Sequence, residues 1–229
     1  MITIYGDSLL KCVLYENGKY TANHEFELAY REKFGAELEN RSYFGSTAAK
    51  ALARMERDAE KGKPFGDRCV IEFGGNDCSY DWASVAAEPR RWHDSYAEPE
   101  DYRETLRALV RLARAQGAQP ILTALPPIDA ERYLDWISRS LPSQEPLRLW
   151  SGGAERFYRR NEFYSLLNLE VAREENVPVV DLRSPFLLKR NVGQYLCEDG
   201  IHPNREGQRL MFEAFCAFSE KEREQHGNE

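Results

Sequence analysis

The chain has 229 residues, a length that fits one α/β domain with a full hydrophobic core better than two small domains. Apolar residues make up 42% of the chain and charged residues 30%, a balance typical of soluble globular proteins. The net charge of −7 disfavours a nucleic-acid-binding surface, which requires basic patches, and no apolar run is long enough to span a bilayer.

Short apolar or β-branched runs alternate with longer segments of helical period, which predicts an α/β fold with a parallel sheet of about five strands. In chain order the predicted strands are Ile2–Tyr5, a weaker one at Leu38–Tyr43, Cys69–Phe73, Pro120–Leu125 and Val177–Asp181. Because the first strand leaves no room for a signal peptide before it, we expect a cytoplasmic protein without membrane insertion.

Four segments carry apolar residues at helical spacing and predict helices between and after these strands. They run from Ala48 to Ala59, from Tyr102 to Ala113, from Phe163 to Val171 and from Leu210 to Phe218. Ser46 or Thr47 is placed to cap the first helix, and an acidic first turn favours the second.

Two aromatic-rich segments, residues 78–99 and 126–160, exceed what a minimal sheet-and-helix unit needs. Each follows a predicted strand directly, so both should rise from the same edge of the sheet as insertions in a single domain, residues 1–229. Such insertions often form lids or pocket walls. Plain packing onto the domain or a homo-oligomer contact is the alternative, and these interpretations are compatible.

Nothing in the sequence favours a metal or a cofactor. The five cysteines are odd in number and include no C-x-x-C pair, so neither a disulfide framework nor a zinc site is indicated. A metal site built from Asp77, Asp199 and His202 would lack any recognised ligand spacing. Phosphate-binding and dinucleotide-binding glycine motifs are also missing.

Four polar segments lie where a sheet of this kind binds ligands, beyond the carboxyl ends of its strands. They are Gly6-Asp7-Ser8-Leu9, the glycine at Gly45, Gly74-Gly75-Asn76-Asp77 and Asp199-Gly200-Ile201-His202. Their convergence on one edge carries more weight than any single motif.

These segments supply what acyl transfer from an ester requires: a nucleophile, a base and donors for the oxyanion. Ser8 is the candidate nucleophile, expected at a strand-to-helix turn whose free N–H groups favour negative charge. His202 is the candidate base, because Asp199 three residues earlier could orient its imidazole. The Asn76 amide and the Gly45 backbone N–H could stabilise the oxyanion.

In this order, the four segments resemble the marker blocks of the GDSL/SGNH hydrolase superfamily, and they extend over nearly the whole chain. The resemblance implies a flavodoxin-like three-layer α/β/α fold and a Ser8, Asp199 and His202 triad. It also implies an oxyanion hole formed by the Ser8 backbone, the Gly45 backbone and the Asn76 side chain. The segment 126–160 is longer than in the most compact members, which leaves the substrate open.

The sequence therefore predicts a metal-independent serine esterase that acts on a small-molecule ester through an acyl-serine. Short acyl groups such as O-acetyl on a soluble or carbohydrate substrate are favoured, because the two insertions are rich in Trp and Tyr. An acyl thioesterase or a lysophospholipase is the alternative, with an apolar groove formed by Leu134, Trp136, Ile137, Leu141, Leu147 and Leu149. An acyltransferase and an inactive binding protein on the same fold are further alternatives.

Overall fold

The computed structural model describes residues 1–226, and its centre is a sheet of five parallel strands. The strands in chain order are β1 (Ile2–Tyr5), β2 (Val13–Glu16), β3 (Lys19–Ala22), β4 (Leu38–Asn40), β5 (Arg68–Ile71), β6 (Gln119–Ala124) and β7 (Val179–Asp181). The central sheet has the order β4-β1-β5-β6-β7, while β2 and β3 form a separate antiparallel hairpin. The predicted α/β fold with a parallel sheet of about five strands is confirmed.

Helices cover both faces of this sheet. They are α1 (Glu25–Phe34), α2 (Ala48–Glu60), α3 (Trp82–Ala87), α4 (Pro99–Ala115), α5 (Ala130–Ile137), α6 (Glu145–Ser151), α7 (Glu155–Glu174), α8 (Ser184–Leu187) and α9 (Arg205–His226). On one face, α2, α4 and α7 bury a core that includes Met55, Leu109 and Val171 against the strands. On the other face, α8 and α9 bury Phe186 and Met211. The result is three layers.

The four predicted helices lie within α2, α4, α7 and α9, because each carries an apolar face at the helical period. Thr47 is the residue that caps α2: its hydroxyl accepts a hydrogen bond from the N–H of Lys50 at 3.4 Å. The weak strand predicted to reach Tyr43 ends at Asn40, where the Asn40 side chain accepts from Ser42 N and starts a turn.

The structure also corrects the prediction that a helix follows Ser8. Residues 8–12 form a turn, closed by hydrogen bonds from Lys11 N to Asp7 O and from Val13 N to Ser8 O, both 3.0 Å long. The β2–β3 hairpin then follows. Its strands are short and β3 is exposed throughout, so no apolar alternation indicated it. Ser8 therefore does not stand at the N-terminus of a helix that follows β1.

The two aromatic-rich segments pack against each other above one edge of the sheet. Segment 78–99 contributes α3, and segment 126–160 contributes α5, α6 and the start of α7. They share a small core that includes Tyr80, Val85, Leu134 and Leu147. Across residues 1–226, none of the helices combines the length and the hydrophobicity needed to cross a membrane.

Candidate active site

Ser8, His202 and Asp199 form a hydrogen-bonded chain at the carboxyl edge of the sheet. Ser8 Oγ lies 2.8 Å from His202 Nε2, and His202 Nδ1 lies 2.5 Å from Asp199 Oδ2. The three residues are buried, with exposed fractions of 6%, 4% and 0% respectively. The structure thus brings together one side chain from the loop after β1 and two from the turn before α9, in the order nucleophile, base and carboxylate.

The turn at residues 199–202 is shaped by Asp199 itself. Its Oδ1 accepts the N–H groups of Ile201 and His202, each at 3.0 Å, which fixes the carboxylate relative to the imidazole. Burial alone would raise the pKa of Asp199, but the hydrogen bond and charge of His202 outweigh it and hold that pKa below its ordinary value. Asp199 is therefore a carboxylate at neutral pH and can stabilise an imidazolium.

Two backbone N–H groups near Ser8 have no hydrogen-bond acceptor within residues 1–226. One belongs to Ser8 and the other to Gly45, which lies in the loop after β4. Gly45 has φ +67°, a left-handed conformation that glycine adopts without strain, and it lines the same cavity as Ser8. These free donors are available for an oxygen bound beside Ser8.

Asn76, the third predicted oxyanion donor, also lines this cavity but uses both of its N–H bonds within the protein. Its Nδ2 lies 2.8 Å from Asp7 Oδ2 and 3.1 Å from the carbonyl oxygen of Ser46. An amide nitrogen carries two hydrogens, so a substrate oxygen would have to share one of these bonds or displace its acceptor. The hydrogen bond to the Ser46 carbonyl oxygen is the longer of the two, so sharing it with a substrate oxygen costs less free energy than sharing the bond to Asp7.

The carboxylate of Asp77, the neighbour of Asn76, accepts hydrogen bonds from the protein backbone. Its Oδ1 accepts from Ala48 N at the start of α2, and its Oδ2 accepts from Gly74 N, at 2.9 and 3.1 Å. Burial raises the pKa of Asp77 to about 7. Together these bonds tie the loop after β5 to α2 and hold Asn76 in place.

Two aromatic side chains that the sequence did not single out cover His202. Phe44 stacks on the imidazole with ring centres 5.8 Å apart and an interplanar angle of 16°, and Tyr20 meets it edge-on at 5.3 Å. The Tyr20 hydroxyl also donates to Asp199 Oδ2 at 3.0 Å. Phe44 directly precedes Gly45, a predicted oxyanion donor, so its position in the sequence indicated that it lies near the site. Tyr20 lies in the hairpin, and no motif pointed to it.

The cavity beside Ser8 has a volume of about 260 Å³ and aromatic walls. Both insertions form part of the cavity walls and also pack against each other. The aromatic residues that line the cavity are Tyr20, Phe44, Tyr80, Trp82, Tyr133, Trp136 and Phe157. The predicted apolar groove is wrong for most of its members. Trp136 and Ile137 line the cavity, but Leu134 and Leu147 are buried in the small core and Leu149 is exposed.

Within residues 1–226, no group of three or more His, Cys, Asp or Glu side chains is arranged to hold a metal ion. The cysteines Cys12, Cys69, Cys78, Cys197 and Cys216 are all free thiols. Burial raises the pKa of Cys78, the thiol that lines the cavity, to about 12. That thiol is therefore protonated at neutral pH and is a poor nucleophile.

Comparison with solved structures places this fold among known hydrolases. A lipase/acylhydrolase from Enterococcus faecalis is 22% identical and superposes with a TM-score of 0.65, over 94% of this chain and 93% of its own. An acetylxylan esterase from Geobacillus stearothermophilus, in a catalytic mutant form, is 20% identical with the same TM-score of 0.65, over 93% and 91% of the two chains. At these identities the likeness concerns the fold.

Comparison of sequences assigns the family. Thioesterase 1/protease 1/lysophospholipase L1 of Escherichia coli strain K12 is 25% identical over 171 residues, which are 74% of this chain; the match spans 60% of that relative's length. The sequence model of the GDSL-like lipase/acylhydrolase family matches residues 4–210, nearly the whole chain and all four marker blocks. The chain belongs to the GDSL-like lipase/acylhydrolase family.

Proposed function

We propose that the protein is a serine esterase that removes short acyl groups, such as O-acetyl, from a soluble alcohol of carbohydrate type. The observation that carries this proposal is the Ser8–His202–Asp199 chain of hydrogen bonds at the floor of an aromatic-walled cavity. In this reaction Ser8 Oγ attacks the ester carbonyl carbon while His202 Nε2 takes its proton.

The tetrahedral oxyanion is then held by the backbone N–H groups of Ser8 and Gly45, with Asn76 as the third donor. When it collapses, the bond to the alcohol oxygen breaks, and the alcohol leaves with the proton from His202. A water molecule, deprotonated by His202, attacks the acyl-serine in the same way. The products are the carboxylic acid and free Ser8, so atoms and protons balance.

The size and walls of the cavity favour a short acyl group. Its volume of about 260 Å³ is small beside the roughly 300–1,000 Å³ of pockets that bury drug-sized ligands. Trp82 and Trp136 line this cavity, and flat aromatic side chains are surfaces on which sugar rings can stack. The acetylxylan esterase among the structural neighbours is compatible with this substrate class.

An acyl thioesterase or lysophospholipase is the second candidate, because the Escherichia coli relative carries those activities in its name. It would need an elongated apolar groove, and the residues expected to form one are mostly buried or exposed elsewhere. The two candidates differ in one measurable property, the dependence of turnover on acyl chain length.

The test is hydrolysis of p-nitrophenyl esters from acetate upward in chain length, by the wild type, Ser8→Ala and a control, Ser140→Ala. Ser140 is an exposed serine outside the cavity, so its loss should leave turnover unchanged. We expect kcat/KM to be greatest at acetate or butyrate and to fall by about 10³-fold or more in Ser8→Ala. A maximum at long chains would favour the lipid or thioester candidate. Equal rates in the wild type and a folded Ser8→Ala would refute the proposed mechanism.

A further inference from the structure

Arg160, on α7, lines the same cavity as Ser8 and His202. Its Nη2 donates to Ser95 Oγ at 2.8 Å and to the Tyr164 hydroxyl at 3.2 Å. Its Cζ also lies 5.4 Å from the ring centre of Tyr80 and 5.2 Å from that of Tyr164. Burial raises the pKa of both tyrosines, so these partners are uncharged. They hold the guanidinium in place without neutralising it.

The charge of Arg160 has no direct counterion. Within residues 1–226 no carboxylate forms an ion pair with it, whereas Arg103 and Arg107 of α4 each pair with two glutamates. The nearest acidic link is indirect: Ser95 Oγ, which accepts from Arg160, also lies 2.7 Å from Glu98 Oε1. The Arg160 Nε is enclosed without a hydrogen-bond partner, and Nη1 has no acceptor in the described part of the chain.

The rest of the cavity wall strengthens the field of this cation. Arg160 is the one lysine or arginine among the described residues that line the cavity. The acidic residue there, Asp7, is fully enclosed and is occupied by Asn76 Nδ2 and Leu9 N, each at 2.8 Å. Arg160 is half-buried among these aromatic walls, where an unpaired cation attracts an anion more strongly than it would on the open surface. A planar guanidinium is well suited to a carboxylate.

We propose that Arg160 forms an anion subsite, and that the preferred substrate is a short-chain ester of an alcohol that itself carries a carboxylate, such as an acetylated hydroxy acid or sugar acid. This inference rests on the proposed function, in which Ser8 takes the acyl group. The alcohol is then the larger part of the substrate, and it occupies the cavity towards Arg160, where Nη1 is free to bind the carboxylate.

The experiment compares 4-acetoxybenzoate with its neutral isostere 4-acetoxybenzamide as substrates of the wild type, Arg160→Gln and Arg160→Lys. We expect the wild type to prefer the anion by about tenfold or more in kcat/KM, after correction for spontaneous hydrolysis. Arg160→Gln should lose this preference through a higher KM for the anion, while its turnover of the amide stays within about threefold. Arg160→Lys should retain part of the preference, since it keeps the charge but loses the planar guanidinium that Ser95 and Tyr164 hold in place.

The matched control is Arg156→Gln, which removes an arginine from the same helix, one turn earlier. Arg156 stacks on Trp150 with its Cζ 4.1 Å from the ring centre and does not line the cavity, so its loss should leave the preference intact. An unchanged ratio in Arg160→Gln, or an equal loss on both substrates, would show that Arg160 only supports the structure. Turnover of the amide without any preference for the anion would overturn the subsite alone. Turnover of neither substrate by a wild type that hydrolyses p-nitrophenyl acetate would also overturn the subsite, whereas a wild type inactive on all three esters would overturn the esterase proposal.

Discussion

The carboxylate of Asp199 is shared between two donors that approach from different parts of the chain. Its Oδ2 accepts from His202 Nδ1 at 2.5 Å and from the Tyr20 hydroxyl at 3.0 Å. Burial raises the pKa of Tyr20, so its hydroxyl keeps the proton that it donates. In the proposed reaction the Tyr20 hydroxyl therefore acts through Asp199, as a positioning group, while the Tyr20 ring lines the cavity.

Replacing Tyr20 with Phe tests this role, because it keeps the ring and removes only the O–H. Since hydrogen bonds to charged groups are worth more than neutral ones, we expect kcat/KM to fall by about tenfold or more. The titratable groups that face His202 are Asp199, Tyr20 and Asp7. Without the Tyr20 bond, Asp199 should interact more strongly with the imidazolium. The acidic limb of the pH profile of kcat/KM should then move to higher pH.

The control is Tyr15→Phe in the same hairpin. The Tyr15 ring contacts Tyr20 and Trp136 with centres 4.9 and 4.7 Å apart, but its hydroxyl makes no hydrogen bond within the described chain. That substitution should leave the pH profile in place. An identical shift in both variants, or none in Tyr20→Phe, would contradict a specific role for the Tyr20 hydroxyl.

At the residue scale, the sequence singled out Ser8, His202 and Asp199 as candidates because each stands in a short motif next to a strand or helix boundary, and the structure brings the three together. It missed Tyr20, because a hydrogen bond between residues 179 positions apart leaves no local pattern. No sequence pattern pointed to Arg160 either, because a single arginine on a predicted helix is most often a solvated surface residue. What makes it distinct is the absence of a counterion, which only the packing of the insertions determines.

At the scale of elements, the insertion that carries α5 supports the turn at residues 199–202. Asp129 N donates to Gly200 O at 2.8 Å, directly before α5 begins. Gly200 has φ +75°, and a Cβ there would lie 2.6 Å from Asp129 O and 2.8 Å from Tyr133 N. These are backbone atoms that cannot move aside alone, so the position of α5 and that of the turn are coupled.

Gly200→Ala should therefore displace the turn that holds Asp199 and His202. The matched control is Gly117→Ala, whose φ is +80° but whose Cβ would meet nothing within 4 Å. Both variants should lose about 1–2 kcal/mol of unfolding free energy from the left-handed backbone. Gly200→Ala should lose more, together with most of its esterase turnover. Urea denaturation and ester hydrolysis measure the two effects; equal losses in both variants would contradict the coupling.

Elements with a long apolar period were predictable, and short exposed ones were not. α4 buries Tyr102, Leu106 and Leu109 at regular spacing, so its period identified it from sequence. The β2–β3 hairpin has four residues per strand and an exposed second strand, and its rings Tyr15 and Tyr20 pack on Trp136 and Phe44, contacts that leave no local pattern. The same lack of signal led to the wrong expectation of a helix after Ser8.

At the scale of the whole molecule, a buried carboxyl pair links stability to pH. Glu72 follows β5 within an apolar run and is fully buried, with Oε1 unpaired and Oε2 lying 3.3 Å from Asp7 N. Burial and the adjacent Asp7 raise the pKa of Glu72 well above its ordinary value. Burial also raises the pKa of Asp7, but less, because Leu9 N and Asn76 Nδ2 donate to its carboxylate, so Glu72 holds the proton of the pair.

Because the folded chain holds this proton to a higher pH than the unfolded chain, the pair favours folding most at low pH. Its contribution is complete below the unfolded pKa of about 4.3 and is lost as pH rises towards the raised folded value. Glu72→Gln removes this titration while keeping an amide oxygen that can accept from Asp7 N. Its unfolding free energy should decline less than that of the wild type from about pH 5 to about pH 8.

Chemical denaturation across that pH range measures this difference. The control is Glu60→Gln at the exposed end of α2, whose stability curve should run parallel to that of the wild type. Parallel curves for Glu72→Gln and the wild type would mean that Glu72 ionises equally in the folded and unfolded chains.

The hydrogen bond between Ser8 and His202 joins residues 194 positions apart. A ribosome that adds about 5–20 residues per second needs roughly 10–40 s to travel from one to the other. Throughout that interval the nascent polypeptide carries its serine without a base to activate it. Ser8 can therefore gain its base only after residue 202 has been synthesised and the turn before α9 closes over the loop after β1.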